Sequence, residues 1–98
     1  MIRHIVLFKL HEGRSREDAQ VVATREALTN LGPTLPMVRG WEVRECFGDK
    51  PASHDFILLS EFDNEADRAA YAVDPDHQVV IAQLDQITAT KAVADFRV

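Results

Sequence analysis

The 98-residue chain has a single cysteine, Cys46, so it can form no internal disulfide and its core must hold the fold. A lone thiol fits a reducing compartment, and the cytoplasm is the expected location. Basic residues are few: 11 Lys and Arg against 16 Asp and Glu leave a net charge of −5. The cations are also scattered, which argues against nucleic acid or an anionic membrane as a partner. Long hydrophobic runs are absent. The opening MIRHIVLFKL has only a short apolar run before Lys9, too little for a signal-peptide core or a membrane span. The four glycines are isolated, so no phosphate-cradling loop exists and no cofactor is expected.

What remains is an ordinary globular composition, 46 % apolar and 28 % charged, with neither repeats nor an internal linker. Residues 1–98 form one domain. Residues 2–10 are dense in β-branched and aromatic side chains and predict a strand that Gly13 closes. Ser15, with Asp18 three positions on, predicts a capped helix start. Ala19, Val22, Ala23, Ala27 and Leu31 then recur at helical spacing until Gly32-Pro33. Residues 38–47 and 54–62 alternate as strands around the Gly48–Pro51 turn. Asn64 caps a short helix with Ala66, Ala69, Ala70 and Val73 on one side. Asp74-Pro75 restarts it, aspartate as the cap and proline at the first helical position. Val79, Val80, Leu84 and Ile87 continue that helix, and 89–97 form a last strand.

The order is βαββαβ, an α+β, ferredoxin-like arrangement with both helical segments on one face of a four-stranded antiparallel sheet. His4, Val6, Phe8 and Leu10 share one face of the first strand. His54, Phe56, Leu58, Ser60 and Phe62 share one face of the third. These are the sides expected to meet the helices. The opposite parities put Ile5, Leu7, Ile57 and Leu59 at the centre of the other face. A solvated face would be polar to its middle. This one calls for cover, and the chain has no helix left to supply it. A homodimer packed sheet against sheet is the expected solution.

MIRHIVLFKL, the strand DFILLSEF and the spacing Y-x(3)-P-x-H together resemble the stress-responsive dimeric α/β barrel family, Dabb. The resemblance spans nearly the whole chain and implies a small ferredoxin-like domain that dimerises through its sheet into a barrel. Many members have no assigned reaction. One is a cofactor-free cyclase that closes a polyketide ring by aldol condensation. By similarity to that member, Tyr71 and His77 correspond to its catalytic tyrosine and histidine and His4 to a pocket histidine. Phe56 stands where the cyclase has a further pocket histidine, a departure that bears on which ligand would fit.

The chemistry of such a pair is plain. A neutral imidazole at His77 could take a proton α to a carbonyl, and the Tyr71 hydroxyl could bond the developing enolate. The plainer alternative has His77 packing at a helix start while Tyr71 closes the core. His4 is either a hydrogen-bonded core residue or a pocket group. Asp74, Asp76 and His77 could gather a cation, but Asp74 has a better use as a cap. No His-x-His, HExxH or paired-cysteine spacing occurs, so no metal is expected. Three functions fit: a homodimer binding a small apolar or aromatic molecule in a helix–sheet cleft, with His4 and Phe56 on its wall; a cyclase or lyase using His77 and Tyr71; or a structural dimer without a ligand.

Overall fold

The computed structural model describes residues 1–98. Strand β1 (Ile2–Leu10) leads to helix α1 (Ala19–Leu31), which tightens into a 3₁₀ turn at Gly32–Thr34. Strands β2 (Val38–Glu45) and β3 (Phe56–Phe62) follow, then helices α2 (Glu65–Ala72) and α3 (Pro75–Ile87), and strand β4 (Thr88–Arg97). The sheet order is β2-β3-β1-β4 with every pair antiparallel. This is the ferredoxin-like arrangement that the sequence predicts. The second and third strands are shorter than expected, ending at Glu45 and beginning at Phe56.

Parity decides what each strand buries. In β1, Ile2, His4, Val6, Phe8 and Leu10 are buried beneath the helices, and in β3 the same holds for Phe56, Leu58, Ser60 and Phe62. Ile5, Leu7, Ile57 and Leu59 lie half-buried on the outer face. Ala94 pairs with Ile5, Ala92 with Leu7 and Phe96 with Arg3, which extends that face across β4. On the helix side β4 is nearly bare: Lys91, Val93, Asp95 and Arg97 are all exposed, whereas the matching positions of β1 and β3 are buried.

The helices depart from the expected pattern in four places. Ser15 does not cap α1. Its hydroxyl accepts from the Glu17 N–H (3.0 Å), and the Asp18 carboxylate accepts from the Ser15 N–H (3.2 Å). A separate turn is thereby closed before the helix begins at Ala19. The buried face of α1 is Val21, Thr24, Leu28 and Leu31. Ala23 and Ala27 instead border the groove against α3, where Gln20 bonds Gln86 (2.9 Å). Larger side chains bury more apolar area, so they take the sheet and leave the alanines to the side. In α2 the expected Ala66, Ala69, Ala70 and Val73 side is exposed and Tyr71 is the buried residue. In α3 Val79 likewise faces outward, whereas Val80, Leu84 and Ile87 are buried.

Trp41, on the edge strand β2, closes one end of the core. Its indole N–H donates to the Leu28 carbonyl (2.9 Å), and its ring lies directly over Gly32. A Cβ on Gly32 would stand 2.0 Å from the indole Cγ, so this position must lack a side chain.

Candidate functional site

The break between α2 and α3 builds the site. The Asn64 side-chain oxygen Oδ1 accepts from the Asp67 N–H (2.8 Å) and starts α2. Asp74 starts α3, its Oδ1 accepting from the N–H groups of Asp76 (2.9 Å) and His77 (3.1 Å), with Pro75 at the first helical position. Tyr71 thus sits in the last turn of one helix and His77 in the first turn of the next. Their rings stack, centroids 3.8 Å apart and planes inclined by 29°.

Tyr71 is only 2 % exposed. Its ring meets Phe62 (5.1 Å), His4 (5.7 Å) and Trp41 (5.9 Å) between centroids, and the Arg68 guanidinium lies 5.5 Å from its centre. Burial pushes the phenol well above its ordinary pKa, and Arg68 only partly opposes this, so Tyr71 remains a neutral hydrogen-bonding group. The His77 Nδ1 is buried without a hydrogen-bond partner. Burial lowers the pKa of His77; His4 and Arg68 push the same way, whereas the Tyr71 carbonyl and Asp74 oppose. That carbonyl favours the protonated ring electrostatically, although no hydrogen bond of good geometry joins it to Nδ1.

His4 faces the same space from β1. Its Nδ1 is 2.8 Å from Asp95 Oδ1 on β4. Arg68 of α2 grips the same carboxylate, with Nε at 2.8 Å and Nη2 at 3.4 Å. Burial and then Arg68 hold the His4 pKa below its ordinary value, against the pull of Asp95. Burial raises Asp95, but the bonds from Arg68 and His4 and their charges outweigh it and leave the carboxylate below its usual range.

These groups border a cavity of about 140 Å³ between sheet and helices. Val6, Phe8, Leu28, Leu58, Ile81, Leu84 and Val93 supply most of its apolar wall; His4, Arg68, Tyr71, His77 and Lys91 supply the polar groups. Lys91 and Val93, both exposed, bring β4 into its lining. A larger groove, about 370 Å³, lies on the outer face of the sheet among Ile5, Gly40, Leu59 and Phe96. Its charged groups are an Arg3–Glu61 pair at 3.4 Å and Glu42, and it holds no convergent acid and base.

His4, Tyr71 and His77 are brought together as wall residues. Phe56 is not on that wall. It stacks on Phe8 (4.6 Å, 15°) and so backs a residue of the wall instead of lining the cavity itself. No group of three or more His, Cys, Asp or Glu side chains converges as metal ligands, and both N–H bonds at Asp74 belong to the helix cap. No helix is long and apolar enough to cross a membrane.

The stress-responsive A/B barrel domain matches residues 2–98. The chain belongs to that family. An uncharacterized protein of Streptomyces coelicolor is 36 % identical over 96 residues, covering 98 % of each chain. A dimeric ferredoxin-like protein of unknown function from Thermobifida fusca is 26 % identical, with a TM-score of 0.85 over 99 % of this chain and 90 % of that one. The hydroxynitrile lyase of Passiflora edulis shares the fold at 18 % identity and a TM-score of 0.84, covering 99 % of this chain and 92 % of its own.

Within this member of the family, sequence reasoning missed Arg68, Asp95, Lys91 and Val93. Arg68 stands three residues before Tyr71, close enough on a helix to share its face. Asp95 and Val93 could be found only through the register of β1 against β4, which sets His4 opposite Asp95 and Val6 opposite Val93.

Proposed function

We propose that this protein binds a small apolar or aromatic molecule in the helix–sheet cavity and acts as a homodimer closed through the outer face of its sheet. One observation carries the ligand reading: a largely apolar cavity of about 140 Å³ onto which His4, Tyr71 and His77 converge. An apolar hollow of about this size accepts a single benzene-sized ring, whereas drug-sized ligands fill about 300 Å³ or more. A long polyketide chain is therefore a poor guest and a one-ring molecule a good one. The dimer reading rests on the apolar centre of the outer face and on the dimeric relatives. The cytoplasm, where the half-buried Cys46 stays reduced, suits such a protein.

A thermal-shift series of one-ring compounds at fixed protein concentration tests this. A guest at a hundred times its Kd adds about 2.7 kcal/mol and raises the Tm by several degrees. No shift across the series would favour a structural dimer without a ligand.

A second reading is a cofactor-free lyase or cyclase on the same guest. Its support is the pairing of a neutral phenol with an imidazole whose pKa is held low. In that reading His77 removes the proton and Tyr71 bonds the developing oxyanion. Once a substrate is identified, Tyr71→Phe and His77→Ala should each lower the rate by about 10²–10⁴. Full turnover in both variants would overturn these roles.

A further inference from the structure

The His4–Asp95–Arg68 chain is used by neither reading, and it says which guest the cavity accepts. A carboxylate can only accept hydrogen bonds, so the 2.8 Å contact with Asp95 requires the proton of His4 to sit on Nδ1. Arg68 holds that carboxylate in place with both of its contacts. The groups facing His4 from the neighbouring elements are Arg68 and Tyr71 of α2, His77 of α3 and Asp95 of β4. Burial and Arg68 disfavour a second proton on the ring, so His4 is neutral. Its Nε2 is then a bare lone pair on a side chain 5 % exposed, with no partner inside the chain.

We propose that Asp95, clamped by Arg68, is a positioning residue that fixes the tautomer of His4 so that Nε2 is the hydrogen-bond acceptor of the cavity, and that the guest is a small ring bearing a hydroxyl. This rests on the cavity being a ligand site and goes further by choosing among ligands. A methyl-substituted ring leaves Nε2 desolvated and unpaired. A ring carrying only a carbonyl sets lone pair against lone pair. A phenolic O–H satisfies Nε2 while the ring fills the apolar wall, and its oxygen can still accept from the Tyr71 hydroxyl. The cations of the wall, Arg68 and Lys91, are already paired with Asp95 and Asp85 (3.0 Å for the latter), which leaves His4 Nε2, the Tyr71 hydroxyl and the buried His77 Nδ1 as its unmet polar groups.

The test compares phenol, toluene and benzaldehyde by calorimetry on the intact protein, together with the ¹⁵N shifts of the His4 ring. Phenol should bind about tenfold more tightly than toluene, and the advantage should vanish in Asp95→Ala. The ¹⁵N shifts should report a protonated Nδ1 and a bare Nε2 in the wild type and a mixture of tautomers in the variant. Asp95→Asn, whose amide oxygen can still accept from Nδ1–H, serves if the alanine variant does not fold, and should keep part of the preference. Equal binding of the three probes would overturn the hydroxyl assignment while leaving the cavity a ligand site. Binding of none would overturn both. A wild-type ring protonated on Nε2 would overturn the positioning role of Asp95 whatever the probes do.

Discussion

Tyr71 and His77 stack face to face across the break between two helices, ring centroids 3.8 Å apart. Rings stacked in this way do not hydrogen-bond each other, and His77 Nδ1 is left buried without a partner.

The Tyr71 hydroxyl has no partner within the chain, and its removal leaves no protein group unsatisfied. Tyr71→Phe should therefore change stability by less than about 1 kcal/mol while weakening the binding of a polar guest. Urea melts beside probe titrations separate the two effects. A large loss of stability would mean the hydroxyl serves the fold.

Asp74→Ala removes the acceptor for two backbone N–H groups at the start of α3. The expected loss is about 1 kcal/mol, which in a domain this size lowers the Tm by about 4–8 °C. Asp74→Ser should recover most of it. Hydrogen exchange should show the Asp76 and His77 amides losing protection first.

Gly32→Ala would ordinarily stabilise a helical position by reducing the freedom of the unfolded chain. Here the added methyl would meet the Trp41 ring at 2.0 Å, and overpacking of this kind destabilises by about 1–3 kcal/mol. The double variant with Trp41→Leu should recover part of the loss in a thermal melt. Additive effects would mean that the two residues do not press on each other.

Leu59→Glu places a charge at the apolar centre of the outer sheet face. Light scattering at micromolar concentration should give twice the chain mass for the wild type and the mass of one chain for the variant. A single-chain mass for both would remove the argument for sheet packing.

Acid should destabilise the protein in a defined window. The folded-state pKa values of His4 and His77 lie below 6.5. Below that pH the unfolded chain takes up protons that the folded one refuses. Stability is thus full above pH 6.5 and falls as the pH drops from there towards the folded values. Urea midpoints at about pH 7.5 and 5.5 check the sign, and His77→Gln should flatten the dependence. Asp95, with its lowered pKa, adds a further loss at more acidic pH, below 3.8.

Strand parity, the Asn64 and Asp74 caps and the βαββαβ order were legible because each depends on a local pattern with few competitors. The face of α1 was not. Val21, Thr24, Leu28 and Leu31 and the alanine set are both helically periodic, and only the sheet decides between them. In α2, four exposed apolar residues outnumber the one that is buried. Tyr71, His77 and His4 were legible as candidates because their residue types carry chemistry. The place of Phe56 behind the cavity wall follows from its stack on Phe8, and the grip on Asp95 from the pairing of strands distant in sequence.

Strand β4 has a consequence for both proposed activities. Asp95 bonds His4, a wall residue of the cavity, while the next residue, Phe96, lies on the outer face beside Ile5 and Leu59. One peptide unit thus joins the residue that tunes the cavity to the surface where a second copy would sit. If pairing alters the hold of Asp95 on His4, guest occupancy and self-association are thermodynamically linked. Whatever factor pairing adds to guest affinity, the guest must return to pairing. Dilution alone would then loosen the hold on the guest, with no residue of the cavity altered.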